Sequence, residues 1–348
     1  MLSESAFDKN FFPGDSVMPK KALVVGVDKY DKFGSLSGCV SDAKSLGALL
    51  ETHSDDTPNF EVNYLSSDQG RVDRANLARE INQLFSGDPD VVLLYFAGHG
   101  HKGYLVAQDG CEGALGFPLI EVLGLANNAY PRIKSIVIVL DCCNAGVAGD
   151  MPEAIAGEIA ALGKGVTILA SCRSNEEALE FNGHGYFTYL LLGCLQGAAA
   201  DICGRITPAS VYANIDQTLG ENDQRPVYKA NVHRFTVLRR IAPRVALSVL
   251  RELTKYFPEP EALYQLGPEC EPPEDRGEYR ERYEGIRLDD ARRAIYQKLQ
   301  ACNREGLVRP SKEPHMWHAA MKKDTCYLTE LGKHYHTLAK LKRIGRDP

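Results

Sequence analysis

An α/β architecture, with a mainly parallel central sheet flanked by helices, is predicted for the first 240 residues; a smaller, mostly helical body follows. Three observations carry this. Short Val/Ile/Leu-rich runs alternate with stretches of helical periodicity, which suits strands buried on both faces and joined by helical crossovers. The 348 residues are enough for two domains. Charge also divides unevenly: residues 244–348 hold 20 basic against 17 acidic side chains, and the preceding 243 hold 20 against 29. An acidic first body and a more basic second one follow.

KALVVGVDKY (21–30) reads as the first strand and SDAKSLGALLETH (41–53) as a helix capped by Ser41. FEVNYLSS (60–67) is a second strand, and DRANLAREINQLFSG (73–87) a helix closed by Gly87. DVVLLYFAGHG (90–100), SIVIVLDCCNAG (135–146) and GVTILASCRS (165–174) are the third, fourth and fifth strands. Chemistry in such sheets gathers beyond the carboxyl ends of the strands. AGHGH and DCCNAG both begin where an apolar strand runs out.

Past Ile241 the pattern changes. RVALSVLRELTKYF (244–257) is an amphipathic helix, residues 258–285 are rich in Pro and Glu, and DDARRAIYQKLQACNREG (289–306) is a second helix. LVRP then reads as a short strand, followed by a polar loop holding Trp317, and by a strand and last helix within 326–344. This is the order of a winged helix. The expected division is an extension (1–20), the α/β body (21–240), a helix and linker (241–284) and a winged-helix-like module (285–348).

Several classes are excluded. A composition of 44% hydrophobic and 25% charged residues is that of a globular protein. No apolar run approaches the roughly 20 residues that span a bilayer, so no membrane partner is expected. MLSESAFDKNFFPGDSVMPKK has no basic start followed by an apolar run, so it is not a secretory signal. Ten cysteines without paired CxxC spacing read as reduced thiols of a cytoplasmic protein.

A thiol attacks as its thiolate, so a catalytic Cys needs a base beside it. The residues at matching strand ends are His99 or His101 on one side and Cys142 or Cys143 on the other. A zinc site from these four is disfavoured, since structural zinc sites use CxxC-like pairs.

These blocks resemble the caspase-like clan of cysteine peptidases, and metacaspases in particular. YFAGHG (95–100) is similar to the histidine block, and DCCNAG (141–146) matches the nucleophile block at Asp, second Cys and Gly. LSGCVSDA (36–43), ILASCRSNEEALE (168–180) and GHGYFTYLLLGCLQG (183–197) resemble three further segments, all in family order over about residues 20–240. The resemblance implies the caspase-like three-layer sandwich, a cysteine endopeptidase activity through a thioester, and a role in regulated proteolysis in cell death or defence. It makes Cys143 the nucleophile and His99 the general acid/base, with the backbone N–H groups of Gly100 and Cys143 as oxyanion hole.

The resemblance also implies cleavage after Arg or Lys. The acids aligned with that specificity are Asp42 and Asp141, with Glu180 as a third, and converging carboxylates would pair a cationic P1 side chain and reject an acidic one. Some metacaspases bind calcium through acids after the histidine strand. Residues 106–117 offer only Asp109 and Glu112, short of the 6–8 oxygens calcium prefers, so no metal or other cofactor is expected. Lys164 is the basic residue of the segment that often forms a cleavable loop, and marks a self-cleavage position. In the tail, Arg292, Arg293, Lys340, Lys342 and Arg343 are candidate phosphate contacts. Interrupting Asp289, Asp290 and Glu330 favour docking of a regulatory protein over nucleic acid. The alternative from a different class is a catalytically silent caspase-like scaffold or DNA-binding adaptor acting through the winged helix.

Overall fold

The computed structural model describes residues 20–101, 103–142, 162–171, 180–181, 184–219, 226–232 and 234–345. They form two compact units, one ending at Ala242 and the other starting at Pro243. The first is built on a six-stranded sheet. Its strands are β1 (Lys20–Gly26), β2 (Glu61–Ser66), β3 (Val91–Ala97), β4 (Ser135–Asp141), β5 (Val166–Ala170) and β6 (Val227–Ala230), in the order β6-β5-β4-β3-β1-β2. All neighbours run parallel except β6, which pairs antiparallel with β5.

Alternation along the strands splits the core into two layers. Leu23, Val25, Val92, Leu94, Phe96, Ile136, Ile138 and Leu140 face one layer; Ala22, Val24, Leu93, Tyr95, Val137 and Val139 face the other. The first layer is covered by α2 (Arg74–Leu84) and α3 (Leu119–Ala129), the second by α1 (Cys39–Glu51), α4 (Tyr186–Gly193) and α5 (Pro208–Thr218). Both faces being dry explains the near-continuous apolar runs, and each fully buried Val or Leu contributes roughly 1.5–3 kcal/mol. The three-layer α/β sandwich expected from the sequence is the architecture observed.

Helix starts differ in how they are capped. Asp73 accepts from the Asn76 N–H at the head of α2, and Thr207 with Ser210 forms a capping box on α5. Ser41, the expected cap of α1, lies inside the helix, which begins at Cys39 after a left-handed Gly38. Its exposed N–H groups are taken instead by Asp28 from the loop after β1, whose carboxylate accepts from Cys39 N (2.9 Å) and Val40 N (3.4 Å). A cap from eleven positions upstream lies outside any local pattern.

The second unit contains α6 (Leu247–Tyr256), β7 (Tyr264–Gln265), α7 (Asp290–Arg304), β8 (Val308–Pro310), α8 (Met316–Met321), β9 (Thr325–Leu328) and α9 (Glu330–Lys340). The strands form an antiparallel sheet in the order β7-β9-β8. The stretch around Trp317 is helical rather than a loop; Met316, Ala319 and Ala320 are buried at helical spacing, too short a run to stand out between polar flanks. The Pro/Glu-rich stretch is built into this unit: β7 pairs with β9, and Arg276 is fully buried. Its guanidinium donates to the carbonyls of Glu271 (3.1 Å), Tyr283 (2.9 Å) and Ile286 (2.8 Å). Among the described residues no helix is long and apolar enough to cross a membrane.

Candidate active site

The parallel register sets Ala97 of β3 opposite Asp141 of β4, so both strands end at the same level. His99 follows Ala97 by two positions, as Cys143 follows Asp141 in sequence. Cys143 lies outside the described residues; its neighbour Cys142 is buried in the core. The Gly98 N–H donates to the Asp141 carbonyl (3.3 Å), tying the two strand ends together. A Cβ on Gly98 would stand 2.5 Å from the Tyr30 hydroxyl, so glycine is required by that close approach.

His99 is held on three sides. Its backbone N–H donates to the Tyr30 hydroxyl (2.7 Å), its ring packs against Tyr30 and Phe33 (centroids 4.7 and 5.8 Å apart), and Nε2 lies 2.7 Å from the Gly34 carbonyl. A carbonyl can only accept, so Nε2 carries the proton and Nδ1 of the neutral ring is the basic nitrogen. Gly100 begins a short strand (100–101) paired with Tyr104–Leu105, and His101 faces Tyr104 across it.

Asp42 and Asp141 come together beside Gly185. Asp42 lies on the buried face of α1 and Asp141 ends β4; they are 1% and 7% exposed. A Cβ on Gly185 would lie 2.5 Å from Asp141 Oδ2 and 3.4 Å from Asp42 Oδ2, so Gly185 lies beside both carboxyls and its missing side chain leaves the space between them open. Glu180 shares the location at backbone level, being the partner of Gly185 in the hairpin formed by 180–181 and 184–185. Asp42 and Asp141 thus meet at Gly185, and Glu180 is its backbone partner.

Each carboxyl has its own donors. Asp42 accepts from the Gly185 N–H at Oδ2 (3.0 Å), and its Oδ1 lies 2.5 Å from His184 Nδ1. Asp141 Oδ2 accepts from the Thr188 hydroxyl (2.6 Å), which also meets the buried Tyr95 hydroxyl (2.7 Å). Burial pushes Asp42 up to about 6; the Gly185 and His184 hydrogen bonds work against this, and the Asp141 charge adds to it. Burial likewise raises Asp141, while the Thr188 and Ser171 hydroxyls oppose the rise. Two desolvated acids side by side favour whatever brings a positive charge. The thiol of Cys39 is raised by burial and then by Asp28, Asp141 and Asp42, which leaves it a poor nucleophile at neutral pH.

His184, Gly185, Thr188 and Tyr30 were not singled out from sequence. A signal for the first two existed: GHG occurs at 98–100 and again at 183–185, each directly before an element of the site. Lys164 is exposed in a turn held by Gly163 N to Asn127 Oδ1 (2.8 Å) and Gly165 N to the Asn231 carbonyl (2.7 Å). Asp109, an acid considered for calcium, is engaged by the Arg74 N–H (2.8 Å) and Nε (3.1 Å). No group of three or more His, Cys, Asp or Glu that could hold a metal occurs among the described residues.

Comparison with known proteins bears on the family and the fold. Metacaspase-3 of Trypanosoma cruzi is 26% identical over 157 residues, covering 39% of this chain and 43% of that protein. Metacaspase-1A of Aspergillus oryzae is 24% identical over 152 residues, covering 38% and 36%. The chain thus spans less than half the length of these relatives. In fold it is similar to caspase-1 from Spodoptera frugiperda, with a TM-score of 0.50 and 15% identity over 69% of this chain and 98% of that one. The Peptidase_C14 family model, described as the caspase domain, matches residues 19–236. With more than half of its length covered by that model, the chain belongs to the caspase-domain family of cysteine peptidases.

Proposed function

We propose that this chain is a cysteine endopeptidase that cleaves after Arg or Lys, with Cys143 as nucleophile and His99 as general acid/base. The observation that carries it is the convergence of Asp42 and Asp141 on Gly185, at the strand ends from which His99 and Cys143 follow. His99 Nδ1 takes the Cys143 thiol proton, and the thiolate attacks the scissile carbonyl carbon. The oxyanion is received by the backbone N–H groups of Gly100 and Cys143. His99 then returns the proton to the leaving amine, the C–N bond breaks, and water hydrolyses the thioester through the same base. The cationic P1 side chain enters between Asp42 and Asp141, with Glu180 as third acid, and offsets their desolvation. Self-cleavage after the exposed Lys164 is the processing event that fits this specificity.

No cofactor enters these steps, and the engagement of Asp109 by Arg74 supports a calcium-independent reaction. The second unit reads as a winged-helix-like module that docks a regulatory protein. Arg292 pairs with Glu269, and Lys340 lies 3.8 Å from Glu259, so two candidate phosphate contacts face acids of their own unit. That observation ranks protein docking above nucleic acid. A cytoplasmic setting and a part in cell death or defence complete the proposal.

The test is a panel of fluorogenic peptides differing only at P1, read with wild type and Cys143→Ala, with calcium and with chelator. Expected is cleavage after Arg and Lys, absent in Cys143→Ala and persisting in chelator. Equal rates for the two proteins would remove the enzyme reading, and faster cleavage after Asp would remove the basic pocket.

A further inference from the structure

The proposed P1 pocket contains a histidine that the reaction does not use. His184 reaches Asp42 Oδ1 from Nδ1 while the next residue, Gly185, donates its N–H to Oδ2. Two consecutive residues of one hairpin strand therefore clamp both oxygens of a single buried carboxyl. A carboxyl with a free χ2 could rotate to bury one oxygen against α1; the two donors hold this one in orientation and work against its protonation. The imidazole is itself half-buried, its side chain 24% exposed, so it is not a loose surface contact.

We propose that His184 is the positioning residue of the P1 pocket: in its Nδ1–H form it holds Asp42 ionised and oriented to receive a guanidinium or ammonium. This inference rests on the basic-P1 reading. Each carboxylate oxygen has two acceptor directions, so the clamp leaves one on each for the substrate. The other groups facing the pair are Asp141 from β4, Cys39 from α1, Tyr95 from β3 and, at backbone level, Glu180 from the hairpin. Of these, Asp141 opposes ionisation of Asp42, whereas the hydrogen bond and charge of His184 favour it. Removing the imidazole therefore drives the Asp42 titration upward from about 6, into the neutral range where the enzyme must bind a cation. A residue that merely packed the hairpin would leave that titration where it is.

The experiment compares wild type, His184→Ala and His184→Gln on Arg-P1 and Lys-P1 peptides between pH 5.5 and 8.5, separating kcat from KM. For His184→Ala, KM is expected to rise roughly 10-fold at pH 7, as suits loss of a charge-assisted hydrogen bond, with kcat within about twofold. The acid limb of kcat/KM is expected to move up by about one pH unit. His184→Gln, which keeps a donor in place of the imidazole, is expected to fall between the two in both respects. An unmoved acid limb and KM in both variants, in an enzyme that does cleave after Arg, would overturn the role of His184 and leave the pocket standing. A wild type that does not prefer Arg or Lys would overturn both.

Discussion

Gly185→Ala isolates the contact between the two pocket acids. The backbone there (φ −58°, ψ 133°) is open to any L-residue, so only the added methyl acts. It would stand 2.5 Å from Asp141 Oδ2 and 3.3 Å from its Cγ, about an ångström inside ordinary contact. The carboxyl cannot swing away freely, because Oδ2 is bonded to Thr188, whose hydroxyl is bonded to the fully buried Tyr95. Relieving the clash breaks or stretches one or two buried hydrogen bonds, at about 1–3 kcal/mol. For a unit of this size that lowers Tm by roughly 3–10 °C, readable by scanning calorimetry. The methyl also occupies the space where the P1 cation would sit. KM for Arg-P1 peptides is therefore expected to rise at least roughly 10-fold, more than kcat changes. A variant with unaltered Tm and unaltered KM would refute both the placement of Asp141 and the identity of the pocket.

Two further outcomes follow from burial. Asp42 titrates near 6 in the fold, above its ordinary 3.8, so the folded state holds the proton more tightly; stability gains as pH falls from about 7 to 4 and is reduced above it. Asp42→Asn is accordingly expected to raise stability at pH 7.5 by about 1–2 kcal/mol while cleavage after Arg is lost; a destabilised variant at that pH in calorimetry would contradict the sign. In the second unit, Arg276→Met leaves three carbonyls without their donor and is expected to cost more than about 3 kcal/mol. Trp317, the single Trp, donates to the Asp275 carbonyl (2.9 Å) beside that arginine, so its fluorescence in urea reports this unit; an unshifted midpoint would show that the carbonyls find other partners.

Much of the first unit was legible because its signals are local. Near-continuous apolar runs such as VVLLYFA and SIVIVLD suit strands dry on both faces, and AGHGH and DCCNAG mark where those strands end. Family order then named His99, Asp42, Asp141 and Glu180 along the chain. What the sequence by itself determined was the alternation of elements and the chemistry available at each strand end. Only the tertiary structure decided how these groups face one another: Asp28 rather than Ser41 capping α1, Gly34 fixing the His99 tautomer from 65 positions away, and His184 clamping Asp42 from 142 positions away. The reason is physical. Periodicity and propensity are properties of a few consecutive residues, whereas hydrogen-bond partners, burial and shared charge depend on which strand lies beside which, and parallel neighbours are always distant in the chain.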